Sequence, residues 1–242
     1  MIHHDVIDRG VIDITADQLP QGEEKARVVE EMFDRIAPRY DLLNRLLTFR
    51  MDVGWRRTAV RELALDPGAR VIDLACGTGD LCRTLQAAGH LPIGADFSAG
   101  MLSVANTDAP LVRADAIHLP FPDDAVDAVT CGFALRNFVD LAPVLAESAR
   151  VLRPQGRIAL LDVGEPTSAP ARAVHRLWFR RVVPLVGGLL SDRRAYSYLP
   201  ASTAYLPERL ELLALIGGAG FVDLSHRTLG AGAAQLITGT RA

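Results

Sequence analysis

The chain has 242 residues, 49% hydrophobic and 23% charged, as expected of one large soluble domain or of a domain with appendages. Its 26 basic and 29 acidic residues give a net charge of -3, without the basic excess of a nucleic-acid binder. Cys76, Cys82 and Cys131 are odd in number and lack Cys-x-x-Cys spacing, and the six histidines form no ligand pattern. Reduced thiols in a cytoplasmic protein are therefore expected, with no disulfide framework and no metal.

Residues 1–24 are acidic and sparsely apolar, and are expected to form a poorly ordered arm before a single domain over 25–242. The opening MIHHDVIDRG has no basic stretch followed by an apolar core, so no secretory leader is expected. From Glu23 to Tyr40, the apolar residues Val28, Val29, Met32, Phe33 and Ile36 form a helical stripe, which Pro38 ends or bends. Further helices are expected from about Leu42 and over Val53–Leu63. Pro67 and Gly68 then turn the chain into a first strand, Arg70–Leu74. Leu91–Asp96 reads as the second strand, a short third precedes Asp115, and Ala125–Cys131 reads as the fourth. Arg150–Val163 reads as a helix end, a turn and the fifth strand. This alternation predicts right-handed crossovers and a parallel sheet. An insertion over about 165–207 breaks the rhythm. It contains the basic, aromatic run RAVHRLWFRRVVPLVGGLL, whose apolar part is too short to span a bilayer. Helix resumes over Pro207–Ile216, and Phe221–Leu229 and Ala234–Thr240 read as closing strands.

The segment RVIDLACGTGD, Arg70–Asp80, is a buried strand, a small-residue turn and a helix start. In open α/β sheets ligands sit at such a place. A P-loop needs a lysine after its last glycine, but Asp80 follows Gly79. A dinucleotide fingerprint needs a third glycine or alanine where Cys82 stands. Asp73 and Asp80 would repel phosphates and suit a cationic or neutral ligand. S-adenosyl-L-methionine carries a sulfonium and no phosphate. Asp96 ends the second strand near the spacing, about 20 residues on, at which an acid meets ribose hydroxyls.

These segments resemble the motifs of Rossmann-like methyltransferases that use S-adenosyl-L-methionine. Ala75 stands where many members have the first glycine. The resemblance implies an α/β fold with a mostly parallel seven-stranded sheet, helices on both faces, N-terminal helices and a helical lid insertion. It assigns the cofactor to Asp73, Gly77, Thr78, Gly79, Asp96, Asp115, Ala116 and Gly132. The runs YDLLNRLLTFRMDVGW (Tyr40–Trp55), GFALRN (Gly132–Asn137) and AYSYLPAS (Ala195–Ser202) resemble the UbiE-type C-methyltransferases, which methylate the ring of demethylmenaquinol or of a ubiquinone precursor. Thr48, Arg50 and Asp52 depart from the usual serine, glycine and histidine, Gly132 replaces a serine and Ala134 a glycine.

The implied reaction is methyl transfer to a ring carbon of a prenylated quinol, most simply demethylmenaquinol. It needs alignment, exclusion of water, and a donor or cation for the ring oxyanion. Arg136 is the candidate for the oxyanion or a water relay; the alternative is an arginine paired with Asp140 or with a helix end. Asn137 and Tyr196 are further catalytic candidates, and Tyr40 and Asn44 are candidates for substrate contact. A helix cap for Asn137 and buried tyrosines with satisfied hydroxyls are the alternatives. The insertion reads as a lid over the isoprenoid tail. Contact of its arginines with an anionic membrane stands beside the reading of a solvated surface helix. A homodimer is left open. Competing functions are methylation of another lipophilic phenol, sterol or acyl chain, and cofactor binding without catalysis.

Overall fold

The computed structural model describes residues 20–164, 166, 168–177 and 202–242. Seven strands are β1 (Arg70–Leu74), β2 (Leu91–Asp96), β3 (Leu111–Arg113), β4 (Val126–Gly132), β5 (Leu152–Val163), β6 (Phe221–Leu229) and β7 (Ala234–Arg241). They form one sheet in the order β3-β2-β1-β4-β5-β7-β6, with β7 antiparallel to both of its neighbours. The mostly parallel seven-stranded sheet expected from the motifs is therefore present. The order runs outward from β1 in both directions, and a crevice opens at such a reversal, beyond the carboxyl ends of the strands.

Helices cover both faces: α1 (Gly22–Ile36), α2 (Tyr40–Leu47), α3 (Met51–Glu62), α4 (Asp80–Ala87), α5 (Ala99–Ser103), α6 (Leu141–Val151), α7 (Ala169–Leu177) and α8 (Arg209–Gly218). Side chains alternate between the two faces of each strand. Val71, Ala128, Ala159 and Leu161 pack on Val60, Leu63, Leu81 and Leu85, on the side of α3 and α4. Ile72, Leu74, Val129, Ile158 and Leu160 pack on Val144, Leu145, Leu212 and Ile216, on the side of α6 and α8. A parallel strand covered on both faces is buried almost throughout, as β4 is.

Pro38 acts as its chemistry requires. Helix α1 stops at Ile36, a single 3-10 turn spans Ala37–Arg39, and α2 starts at Tyr40. α1 begins at Gly22, within the stretch expected to be an arm, and residues 1–19 lie outside the described residues. Of the insertion, α7 is described; residues 178–201, which include Tyr196 and most of the aromatic run, lie outside.

The bend between β1 and α4 uses left-handed backbone at Ala75 (φ 50°), Gly77 (φ 55°) and Gly79 (φ 81°). A non-glycine residue in this region costs on the order of 1–2 kcal/mol, so Ala75 is a strained point in the bend. At Gly79 a Cβ would also lie 2.6 Å from Cγ2 of Thr107, so this position admits glycine alone without rearrangement.

Candidate active site

A cavity of about 270 Å³ lies at the reversal of strand order. Leu74, Ala75 and Gly77 line it from the bend, Asp96 and Phe97 from the end of β2, and Gly132–Ala134 from the end of β4. Ala26, Val29, Glu30 and Phe33 of α1 close the opposite side. The stripe read in the sequence thus divides: Met32 and Ile36 enter the core, while Val29 and Phe33 face the cavity.

Contacts at both ends hold α1 in place. Lys25 Nζ donates to the carbonyl of Phe138 at 2.5 Å and sits 3.6 Å from the centre of the Tyr205 ring. The Tyr205 hydroxyl in turn donates to the carbonyl of Pro20. At the other end, Asp34 Oδ1 accepts from Ser98 Oγ at 2.5 Å and from the Gly100 amide at 2.9 Å. Burial lowers the Lys25 pKa to about 8.

Asp96 organises the cavity floor. One carboxylate oxygen accepts the Gly77 amide at 2.7 Å, and the other accepts the Ser98 amide at 2.8 Å. Burial raises its pKa, against the lowering effect of these amides. A carboxylate has about four acceptor sites, so capacity is left for a hydroxyl pair. Asp115, which accepts the Ile117 amide at 3.2 Å, and Ala116 lie further along the wall. Among the described residues the lining holds Glu30, Asp96, Asp115 and Asp140 but no lysine, arginine or histidine. Such a wall repels a polyphosphate and accepts a cationic nucleoside. Asn137 adds a buried Oδ1 without a hydrogen-bond partner among the described residues. These donor and acceptor groups fit S-adenosyl-L-methionine.

The predicted residues do not all converge. Gly77, Asp96, Asp115, Ala116, Gly132, Asn137 and Tyr40 line the cavity. Asp73, Thr78, Gly79, Asn44 and Arg136 do not. Asp73 pairs in register with Thr130, and its carboxylate accepts from Thr130 Oγ1 at 2.8 Å and Cys82 Sγ at 3.5 Å. It shares the face of Val71, while the next residue, Leu74, faces the cavity. Strand alternation thus places Asp73 behind the bend. Thr78 Oγ1 donates to Asp41 Oδ1 at 2.5 Å and ties the bend to α2. Asn44 lies beside the Tyr40 phenol and lowers its pKa.

Arg136 differs most from expectation. Its guanidinium is buried and donates to Asp162, to the Phe133 carbonyl at 2.9 Å and to Ser202 Oγ at 3.2 Å. Its carboxylate partner is not Asp140, which instead caps α6 by accepting the Ala142 amide at 2.9 Å. A second buried pair joins Arg56 to Asp52, and Arg56 also lies 3.3 Å from Asp80. Burial raises the Tyr40 pKa most strongly, while Asn44, Arg56 and Arg136 pull it down. The two arginines therefore act on this phenol from behind the wall. Phe133, Phe138 and the α1 residues were not singled out as site residues. For α1 the available signal was Val29 and Phe33 at helical spacing.

The fold, with an acid-lined cavity at the strand reversal, is that of methyltransferases that use S-adenosyl-L-methionine. The model of the ubiE/COQ5 methyltransferase family matches residues 20–241, and the chain belongs to that family. A demethylmenaquinone methyltransferase from Thermus thermophilus is 45% identical over 87% of this chain and 100% of its own length. A ubiquinone/menaquinone biosynthesis C-methyltransferase from Geobacter sulfurreducens is 40% identical over 90% of each chain. Among solved structures, a methyltransferase from Thermotoga maritima superposes with a TM-score of 0.64 at 20% identity, covering 88% of this chain and 100% of that one. That likeness shows the fold alone. No described helix is long and apolar enough to cross a membrane.

Two predictions follow from the buried acids. Burial pushes the Asp73 pKa up to about 7, from 3.8 for an unhindered carboxyl. Between those values the folded chain holds a proton that the unfolded chain has released, so this group makes stability fall as the pH rises through the window. Asp73→Asn removes the loss. Its unfolding free energy relative to wild type should increase from about pH 4 to about pH 7 in urea titrations. A constant difference across that range would show that Asp73 ionises normally. Arg136→Ala strands the fully buried Asp162 and should cost about 3–5 kcal/mol of stability in the same assay. An unchanged midpoint would show that Asp162 does not depend on Arg136.

Proposed function

We propose that the chain methylates a ring carbon of a prenylated quinol, with demethylmenaquinol as the principal acceptor. One observation carries the reading: a largely apolar cavity with acids where a nucleoside would lie holds Tyr40 in its wall, with Arg56 and Arg136 close behind. Relatives named for demethylmenaquinone methylation, 45% identical over 87% of this chain in one case, favour that acceptor. When bound, S-adenosyl-L-methionine supplies a methyl group activated by a sulfonium.

Asp96 accepts the ribose hydroxyls, while Asp115 and Ala116 meet the adenine. Left-handed backbone at Ala75 and Gly77 keeps side chains out of the ligand's way. Phe33, Phe133 and Phe138 exclude water, which strengthens every electrostatic interaction inside. Tyr40, with Asn44 beside it, hydrogen-bonds the quinol oxygen next to the reacting carbon. The hydroxyl there gives its proton to bulk water as the substrate enters, the positive field of Arg56 and Arg136 favours the oxyanion that remains, and after methyl transfer the proton of the methylated ring carbon leaves to restore the aromatic quinol. Arg136 is thus a positioning residue rather than a group in contact with substrate. Asn137 Oδ1 accepts a hydrogen bond from the second hydroxyl or from the methionine ammonium. Holding the ring and the methyl group in line supplies up to about 7–11 kcal/mol of the barrier reduction.

The decisive experiment incubates the protein with labelled methyl donor and a demethylmenaquinol analogue and identifies the labelled product. Ring-methylated quinol is expected; label on a sterol, acyl chain or unrelated phenol would replace this reading with another. Tyr40→Phe should lower kcat about 100-fold or more with donor affinity intact, because it removes a hydrogen-bond donor to the oxyanion. An unaltered kcat would take Tyr40 out of the reaction. Asp96→Asn should weaken donor binding about 10- to 100-fold in calorimetry, through loss of charge-assisted hydrogen bonds. Equal affinity would separate Asp96 from the ribose.

A further inference from the structure

We propose that the edge formed by α2 and α3 docks on an anionic lipid leaflet. The inference rests on the reading that the acceptor carries a prenyl tail and so resides in a membrane. Two features of different chemistry adjoin there. The first is a groove of about 840 Å³ between α3 and α4, lined by Arg45, Arg50, Arg56, Arg57, Arg61 and Arg83. Its lining contains one acid, Asp80, which is already shared by Arg45, Arg56 and Arg83. Arg50 and Arg57 are exposed and have no ion pair among the described residues. Arg50 precedes α3 as its N-cap, in left-handed backbone, and Arg57 lies about two turns further along that helix. Asp41 pairs with Arg45 and Arg83, Asp52 with Arg56 and Glu62 with Arg61, so the positive charge of this face rests on Arg50 and Arg57.

The second feature is apolar. Leu42, Leu46 and Met51 are 64%, 47% and 42% exposed. Leu42 and Leu46 share one face of α2 at i, i+4 spacing, while Leu43 fills the core from the other side. Met51 begins α3, next to Arg50. Exposed leucines beside arginines suit the boundary between headgroups and acyl chains: apolar side chains enter the boundary and guanidinium groups meet phosphates. The arrangement disfavours other occupants. A two-fold contact between copies would set the same positive face against itself. A nucleic acid would meet the arginines but leave the leucines in water. The surface also reaches the reaction centre directly, since α2 begins with Tyr40 in the cavity wall.

The test sediments the full chain with phosphatidylcholine vesicles, with and without phosphatidylglycerol, at low and high salt. Wild type should pellet with the anionic vesicles and be released by salt. Each arginine near such a surface changes partitioning roughly fivefold, so the Arg50→Glu/Arg57→Glu variant should bind about 25-fold more weakly or worse. Leu42→Glu/Leu46→Glu should also lose binding. Unchanged melting temperatures are expected at these exposed positions. Both variants should methylate a tail-less quinol in solution as fast as wild type. Slower turnover would place the patch in the catalytic machinery and overturn the proposal. So would wild type staying in the supernatant, variants that pellet like wild type, a dimer that Leu42→Glu/Leu46→Glu disperses, or retention by duplex RNA but not by vesicles. Absence of turnover in wild type would count against quinol methylation and leave the vesicle result standing.

Discussion

The Asp96 carboxylate is the joint on which the cofactor end of the molecule depends. It receives the Gly77 amide from the bend after β1 and the Ser98 amide from the loop after β2. Two loops from neighbouring strands are thereby fixed to one another by charge-assisted hydrogen bonds, which are about twice as strong as neutral ones. The strained backbone at Ala75 persists because both ends of the bend are held, by β1 on one side and by Asp96 on the other. A ligand recognised by this carboxylate meets a site already arranged, so little ordering entropy is lost on binding.

Behind the opposite wall, buried ion pairs set the position of positive charge. Arg136 is locked to Asp162, and Arg56 to Asp52. At Asp52 burial raises the pKa, but hydrogen bonds from Thr48, at 2.7 Å, and from Arg56 lower it further. The family's usual histidine at this position is thus replaced by a carboxylate with its own partner. Thr48, another departure, supplies one of that carboxylate's hydrogen bonds. These two substitutions read as a matched set. Buried pairs of this kind add little net stability, but they define where a guanidinium sits.

Local patterns carried most of the fold. Arg70–Leu74 and Leu91–Asp96 were readable because a covered parallel strand is a short apolar run between turn residues, and both strands have the expected bounds. Pro38 announced the break between α1 and α2. Asp96, Asp115 and Ala116 were legible as cavity residues because they lie at or just after strand ends. The orientation of Arg136 was not, since its partners Asp162 and Ser202 are remote in sequence and nothing near GFALRN specifies them. Asp73 is different: strand alternation puts Leu74 toward the ligand and Asp73 away, a rule available before any coordinates. The role of α1 as a cavity wall was hidden because its apolar stripe serves the core and the site together.

The grip of Lys25 on the Phe138 carbonyl has a practical consequence. Lys25 is the sole lysine of the chain, so its ε-amine is the one side-chain primary amine that an acylating reagent can find. While α1 is seated, that amine is buried beneath Tyr205. The speed of its acylation therefore clocks how often α1 lifts from the cavity, and each ligand that seals the cavity should slow that clock in proportion to its occupancy.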